Sequence, residues 1–546
     1  MSGTFEHLGK QRMRLMRAAG FLSLLLIAVP LALSAKAGQE QVSKDFQKTV
    51  SIGAGQGLRV EHKFGEVKIH GEAGSEVKIS ATIHAQADSR AEAESFAAAI
   101  RIEVEQTANG VSIRTVYPES SSVFHRNKAS YSVDYNIAVP TNAAVFVKNN
   151  FGNVGVNNVH AKVEVENSHG SLSAQDVAGG KLTNSFGNVD VNGAAGDVSV
   201  VDNNGSVTVS SVKGTLEIRD RFGNITARNI ENKATITGGN GSVELNQSGA
   251  AAIVNSFGAV NAREIRGDLS VRNDNGSIDV ADVKGTATLH GNFGDITFSN
   301  VLRNVDCTAS NSRVKGGTVG GSVTVSTTFG EVSLEGIDGP VDVKDSNGSV
   351  IASEIKGAAK LATSFGAIEA HGLHKGAQAS TGNGHVHLSD VTGDAYVKTS
   401  FGSVDVQRIN GNVTIENSNG QVSVNSVKGD VSAKTSFAGT SVEDATGQIT
   451  VDNQNGGVTI APSYAAGGCK DISAKTSFSA IQVRLSESAG YDVTARTSFG
   501  HIKTELSVTS SGDVGGDSLN GKIGTGGCRL SLTNSNGGIE ILKASR

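Results

Sequence analysis

A phenylalanine–glycine pair returns every 35 or 36 residues along this chain, and that regularity constrains the fold more than any other feature. It stands at Phe151, Phe186-Gly187, Phe222-Gly223, Phe257, Phe293-Gly294, Phe329, Phe365-Gly366 and Phe401-Gly402, and Phe437-Ala438 continues the series. Midway between these fall Asn-Gly pairs such as Asn204-Gly205, Asn240-Gly241, Asn347-Gly348 and Asn419-Gly420. The unit is therefore about 18 residues, with Phe-Gly and Asn-Gly alternating at one turn position. A 36-residue rung with Phe corners on one side and Asn corners on the other is the alternative. The shorter unit is preferred, because the columns match equally well at the half-period.

Alignment on the turn glycine exposes a core. Two residues after it stand Val189, Val207, Ile225, Val243, Val260 and Ile278, and later units keep Val or Ile there. Seven residues after it come Val212, Ile230, Ile265 and Val283, and thirteen after it Val200, Ile218, Ile236, Val254, Val271 and Leu289. Apolar and polar residues alternate within short runs, as in Val189-Asp190-Val191, which is strand patterning and not the 3.6-residue period of a helix. Glycine and asparagine suit the corners because both tolerate positive φ. Stacking such units in register buries the Val/Ile columns and pairs each strand with the rungs above and below. The expected fold is all-β, a parallel β-solenoid (β-helix) of ~18-residue rungs, roughly 80 Å long between Phe151 and Gly456 at the ~4.8 Å strand spacing.

Composition agrees with a narrow core. Glycine is 68 of 546 residues, proline 5, tryptophan 0, and aromatics make up 5% of the chain, so bulky rings cannot fill a wide interior. The net charge of −5, with no basic block beyond the N-terminus, argues against nucleic acid as a partner.

The ends differ from the middle. Lys10, Arg12, Arg14 and Arg17 precede an apolar run from Ala18 to Ala35, and Ala35-Lys36-Ala37 provides small residues for cleavage. Residues 1–37 read as a signal peptide cut before Gly38, with an uncleaved membrane anchor as the rival reading. Export to the periplasm, cell surface or medium follows, with a membrane involved only if the leader stays attached. Residues 45–140 read as a small β-rich N-terminal cap domain with one helix over Ser89–Ile100. Residues 141–460 form the regular solenoid, and 461–546 irregular rungs and a cap, where the Phe spacing breaks to 41 and then 21 residues. Such ends hide open strand edges.

At this point the sequence resembles a bacterial adhesin-like β-solenoid family of unknown function, related to the head domains of some surface adhesins. The resemblance rests on the run from Leu58 to Ile69 (LRVEHKFGEVKI), on Tyr135-Asn136-Ile137-Ala138-Val139-Pro140, and on repeats such as Asn184-Ser185-Phe186-Gly187-Asn188-Val189. It covers almost the whole chain beyond the leader. It implies an exported solenoid with an adhesion-like role and brings no catalytic residues.

Candidate chemistry is sparse. Cys307 falls in a core column and reads as a small buried hydrophobe. Cys469 and Cys528 occur in like contexts, Gly467-Gly468-Cys469 and Gly526-Gly527-Cys528. Stacked in chain order they would stand about three rungs, roughly 14 Å, apart, beyond the ~7 Å that a disulfide spans. They are expected unpaired unless the cap folds back. Glu369, His385, His387 and Asp405 share an outward phase on adjacent rungs and form a candidate zinc or divalent-metal set. The competing reading, which is preferred, is a solvated polar ladder. Asp202-Asn203-Asn204-Gly205 and Asp274-Asn275-Gly276 lack the ordered carboxylates of a calcium loop. The Phe column reads as corner packing in preference to an exposed strip for sugars, since an exposed apolar strip risks aggregation.

No cofactor is expected. Three roles remain: an adhesin-like module binding glycan or protein at the cell envelope, a structural or scaffolding protein there, and a polysaccharide-acting β-helix enzyme. The last is disfavoured, because unit length is nearly constant and no acid pair or Ser/His/Asp arrangement stands out against the polar ladders.

Overall fold

Short β-branched runs between Gly and Asn corners fold here into rungs that stack in register. The computed structural model describes residues 39–118, 129–510 and 515–544; the expected leader and its cleavage point lie outside them. The protein is nearly all-β, a parallel β-solenoid of about 18 turns with one helix among the described residues. One sheet holds the strands that follow the corner glycine, such as Val189–Ala194, Val207–Val212 and Ile225–Ile230. The other holds the strands that precede it, such as Val198–Asn204 and Leu216–Phe222. Val189 pairs with Val207, Val207 with Ile225 and Val198 with Leu216, so the rung is 18 residues and not 36.

The three apolar columns line the interior, where Val189, Val212, Val200 and Cys307 are all buried. Val254 is the exception among the named core positions. The rung from Gly241 to Gly258 is one residue shorter, so Ile253 pairs with Ile236 and takes the interior place, leaving Val254 outside. Two further buried columns were not singled out in the sequence. One lies four residues after the glycine (Val191, Val209, Leu245, Phe298) and one eleven after (Val198, Leu216, Leu269).

The second corner carries a feature that pattern alone hid. Fourteen non-glycine residues, among them Asn158, Ser211, Glu264, Thr318 and Arg408, adopt φ between 49 and 59°, each just before a buried residue at or next to the end of its strand. This left-handed step turns the chain inward, at a cost of about 1–2 kcal/mol for a residue bearing a Cβ. Only Gly193, Gly336 and Gly372 meet it with glycine. Glu, Gln, Thr and Arg at the other positions disguise it.

At the N-terminal end the first rung is β2 (Gly57–Glu61) with β3 (Val67–Glu72). These strands pair in parallel with β8 (Val145–Phe151) and β9 (Val154–Val159) across a long excursion of the chain. That excursion covers the open end. Its elements are β4 (Glu76–Ala87), α1 (Arg90–Ala99), β5 (Arg101–Thr107), β6 (Gly110–Val116) and β7 (Ser130–Pro140). β6 and β7 extend the two sheets in parallel, after which β5 and β4 switch to antiparallel pairing. The outermost strand is β1 (Glu40–Ser51), antiparallel to β4 and bearing Lys44, Asp45 and Lys48, charges that discourage further pairing. Ser89 caps α1 by accepting from the Glu92 amide, 3.3 Å away, so the expected helix is present.

The C-terminal end does not follow chain order. The last strands, Cys528–Asn534 and Ile539–Lys543, insert between the Ile472–Thr476/Ile481–Leu485 rung and the Tyr491–Thr497/Ile502–Thr504 rung. Cys469 and Cys528 consequently meet in a disulfide with their Cα atoms 5.9 Å apart. The three-rung separation expected for them is wrong, because the returning chain occupies the rung beside Cys469. An antiparallel strand, Ser518–Ile523, pairs with Tyr491–Thr497 beyond it. Among the described residues no helix is long and apolar enough to cross a membrane.

Candidate functional site

The Asn-x-Phe-Gly corner is built from the inside outward. Three residues before the glycine runs a buried column of Asn, Thr and Asp, including Asn149, Asn167, Asn184, Thr381 and Asn417. The Asn184 amide donates to the carbonyl of Gly187 at 2.7 Å, and that of Asn417 to the carbonyls of Gly420 (2.7 Å) and Gly402 on the neighbouring rung (3.2 Å). Each corner thus satisfies its own turn and ties itself to the next, as buried polar groups must. Gly187 has φ 121°, and a Cβ at Gly205 would stand against the Gly187 carbonyl, so rung backbones meet too closely there for any side chain.

With the inner side of the corner filled by the Asn column and the glycines, the intervening phenylalanine points out. Phe186 is 49%, Phe365 62%, Phe401 64% and Phe499 83% exposed. Corner packing, the expectation from sequence, is therefore not what these rings do; eleven of them, from Phe151 to Phe499, form an exposed strip. Near the N-terminal end the strip is continuous: Phe64 stacks on Phe151 at 5.4 Å, Phe151 on His169 at 4.6 Å, and His169 on Phe186 at 4.8 Å. Beyond Phe186 the rings occupy every second rung, with Asn204 paired to Phe222 and Asn275 to Phe293.

The alternation survives the break in chain order. Backbone amides hand the column on from Gln454 to Ser477, from Ser477 to Asn536 and from Ser535 to Phe499. Asn536 of the inserted strand pair thereby sits between Phe478 and Phe499. Spacings of 41 and 21 residues in sequence become a regular Phe–Asn–Phe series in space.

The His and acidic residues that suggested a metal behave otherwise. His385 Nε2 lies 3.3 Å from Glu369 Oε1, and His387 Nδ1 lies 3.0 Å from Asp405 Oδ2. The first pair is exposed and the second half-buried, and Gln407 also donates to Asp405. Among the described residues no group of three or more His, Cys, Asp or Glu side chains is placed to hold a metal ion. The Asp-Asn turns diverge as well. Asp202 points into the buried corner column, whereas Asp274 lies outside beside Arg272 at 3.2 Å.

Asp202 and Asp220 stand in register on adjacent rungs, in places that Asn holds elsewhere. Burial pushes the Asp202 carboxyl up to about 6, with the charge of Asp220 adding and the amides of Asn203 and Asn204 partly offsetting. Burial likewise raises Asp220. An acid raised in the fold stabilises it when protonated: that stability is full below the unfolded value and is lost as pH rises through about 6. Asp202→Asn is accordingly expected to stabilise its rungs at pH 7.5. The gain is about 1–2 kcal/mol, discounted because solvent lies just beyond the corner, and it should vanish near pH 4. Hydrogen exchange of the strands Val198–Asn204 and Leu216–Phe222, variant against parent, checks this; equal protection at both pH values would exclude it. His62, buried in the cap against Tyr135 and lowered to about 4 by burial, works in the opposite sense below pH 6.5. The comparison therefore has to be local.

No protein-family model matches the chain, and no curated protein matches it. Among solved structures it is similar to one from Clostridium sporogenes ATCC 15579 provisionally described as a cell adhesion protein. The identity is 14% and the TM-score 0.19, over 39% of this chain and 98% of that one. A likeness at that score bears on neither fold nor role, so the resemblance to the adhesin-like family rests on the sequence motifs and the solenoid form.

Proposed function

We propose that this is an exported, non-enzymatic, adhesin-like protein that binds an extended partner along one edge of its rod. The observation that carries the reading is the exposed phenylalanine strip, which runs through rungs that bury most of their other large apolar residues, Val254 and Leu302 excepted. An apolar row of this length on a soluble surface marks an interaction site. The short, nearly uniform corners support a non-enzymatic role, since they raise no long loops around a cleft of converging acids and bases. Export is inferred from the basic and apolar N-terminal segment.

Protease shaving of intact cells, with released peptides identified by mass spectrometry, tests the reading. Solenoid peptides released while periplasmic controls stay whole are the expected result. Protection until the outer envelope is breached would make surface adhesion untenable and favour an internal structural role.

A further inference from the structure

The spacing and chemistry of the strip narrow what can lie on it. We infer that the corner carrying Phe365, Phe401 and Phe437 binds a neutral, linear, β-linked polysaccharide, one disaccharide for every two rungs. This deepens the binding role proposed above and rests on it.

Rings on every second rung recur at about 9.6 Å, twice the ~4.8 Å strand spacing. That is close to the length of one disaccharide in an extended β-1,4-linked chain, in which successive sugars flip and the same face returns at every second ring. Each exposed Phe would stack on that face. The intervening Asn383 and Asn419 would meet the hydroxyls of the flipped sugar, since an amide both donates and accepts. A stiff parallel stack holds these groups in place before binding, which removes much of the ordering cost.

Charge selects among polymers. Around these three rings the flanking corner positions are Ser364, Ala367, Ser400, Ser403, Ser436 and Gly439, without a formal charge among them. A neutral, hydroxyl-rich chain complements such an edge, whereas an anionic polymer would meet no cation at these six positions; on the intervening rung His385 is paired with Glu369, and Lys398, three residues before Phe401, with Glu416. These rings are also 62–64% exposed, more than those nearer the N-terminus.

The alternation is maintained where chain order is not, at Phe478, Asn536 and Phe499. Duplication of a 36-residue segment would explain the pattern in the regular region. It does not explain an Asn delivered to the right place by a strand pair that returns from the far end of the chain. The two-rung spacing is thus a property of the surface as well as of the repeat.

A second copy of this chain is the rival occupant. A convex edge one side chain wide offers two rods only a line of contact, well short of the ~800 Å² per partner typical of a stable protein interface. A single polysaccharide chain is narrow enough to be served by such a line.

The test is affinity electrophoresis of the purified chain in native gels. The gels contain hydroxyethylcellulose (neutral, β-1,4), dextran (neutral, α-linked) or polygalacturonate (anionic). Retardation by the cellulose derivative alone is expected. In the triple variant Phe365→Ser, Phe401→Ser, Phe437→Ser the apparent affinity should fall on the order of tenfold or more, as loss of three stacking contacts implies. Phe401→Tyr, which keeps the ring, should retain binding. The rings are exposed, so the triple variant should fold, and an unchanged circular dichroism spectrum verifies it.

No retardation by the β-glucan, equal retardation of the triple variant, or retardation by polygalacturonate alone would each overturn the assignment. Self-association that the triple variant abolishes, without glucan retention, would assign the strip to a second copy. The two proposals fail separately. A rod shaved from cells but not retained by glucan sinks only the ligand assignment. A rod protected in cells yet retained by glucan sinks only the surface role.

Discussion

Replacing Cys469 and Cys528 together with serine is expected to release the C-terminal rungs while the regular solenoid stays folded. The bridge closes a loop with a sequence separation of 59 residues. In the chain-entropy account a loop of that size stabilises by about 4 kcal/mol. That stabilisation falls on a small part of the molecule, the rungs containing Ile472–Thr476, Tyr491–Thr497 and Cys528–Asn534, whose order of stacking depends on the returning chain. A solenoid transmits stability only between neighbouring rungs, so the effect should remain local. Limited proteolysis in increasing urea should cut the variant between 461 and 543 well before it cuts the region from 145 to 456. Simultaneous loss of both regions in variant and parent would contradict the expectation. Thiol titration of the unfolded, unreduced protein provides an independent check and should find one thiol, Cys307. In the folded protein Cys307 stays silent, because burial, with the charge of Asp306 adding, pushes its thiol up to about 12.

The second large effect lies in the core. Phe298 is the one phenylalanine in the strand interior of the regular rungs, 1% exposed, and it stands in register with Gly316 on the next rung. A Cβ at residue 316 would lie inside van der Waals contact with the Phe298 ring, so the ring occupies the space that glycine leaves empty. Phe298→Ala should cost about 3–5 kcal/mol through the cavity it creates. Gly316→Val should cost about 1–3 kcal/mol through overpacking. The double variant should cost less than the sum by at least ~1 kcal/mol, since each change relieves the fault of the other. Hydrogen exchange of the strands Ile296–Val301 and Val314–Val319 reads all three. Strict additivity would show that the two residues do not share that volume.

Pairing of this kind between adjacent rungs marks the limit of what the repeat reveals. The 18-residue period and the Val/Ile columns were legible because every rung meets the same two constraints, an apolar interior and a corner that needs glycine. Gly316 is an ordinary lapse in its column until Phe298 is placed beside it. The left-handed residues at the second corner escaped for a different reason. They include Glu264, Thr318 and Arg408, types that sequence reasoning does not assign to positive φ, and the strand ladder on either side holds them there. Val254 was misplaced because a one-residue deletion within its rung reverses which face a residue takes.

The candidate site was half visible. The residues of the strip, Phe186, Phe222, Phe293, Phe365 and Phe401 among them, were evident as a column. Whether they pack or project depends on what fills the inner side of the corner. The hydrogen-bonded column running through Asn184, Thr381 and Asn417 fills it, and only stacked rungs create that column. The His and carboxylate set of Glu369, His385, His387 and Asp405 was correctly placed on neighbouring rungs. Side-chain direction then divided it into two separate pairs.

By itself the sequence determined the solenoid, its rung length, its core columns and the helix over 90–99, because each follows from local periodicity repeated many times. Tertiary structure alone decided the order of the last rungs, the Cys469–Cys528 bridge and the continuous Phe–Asn edge. The physical reason is that parallel strands pair just as well out of chain order as in it. Local pattern specifies that a segment is a rung, and only the stacked end specifies where that rung goes.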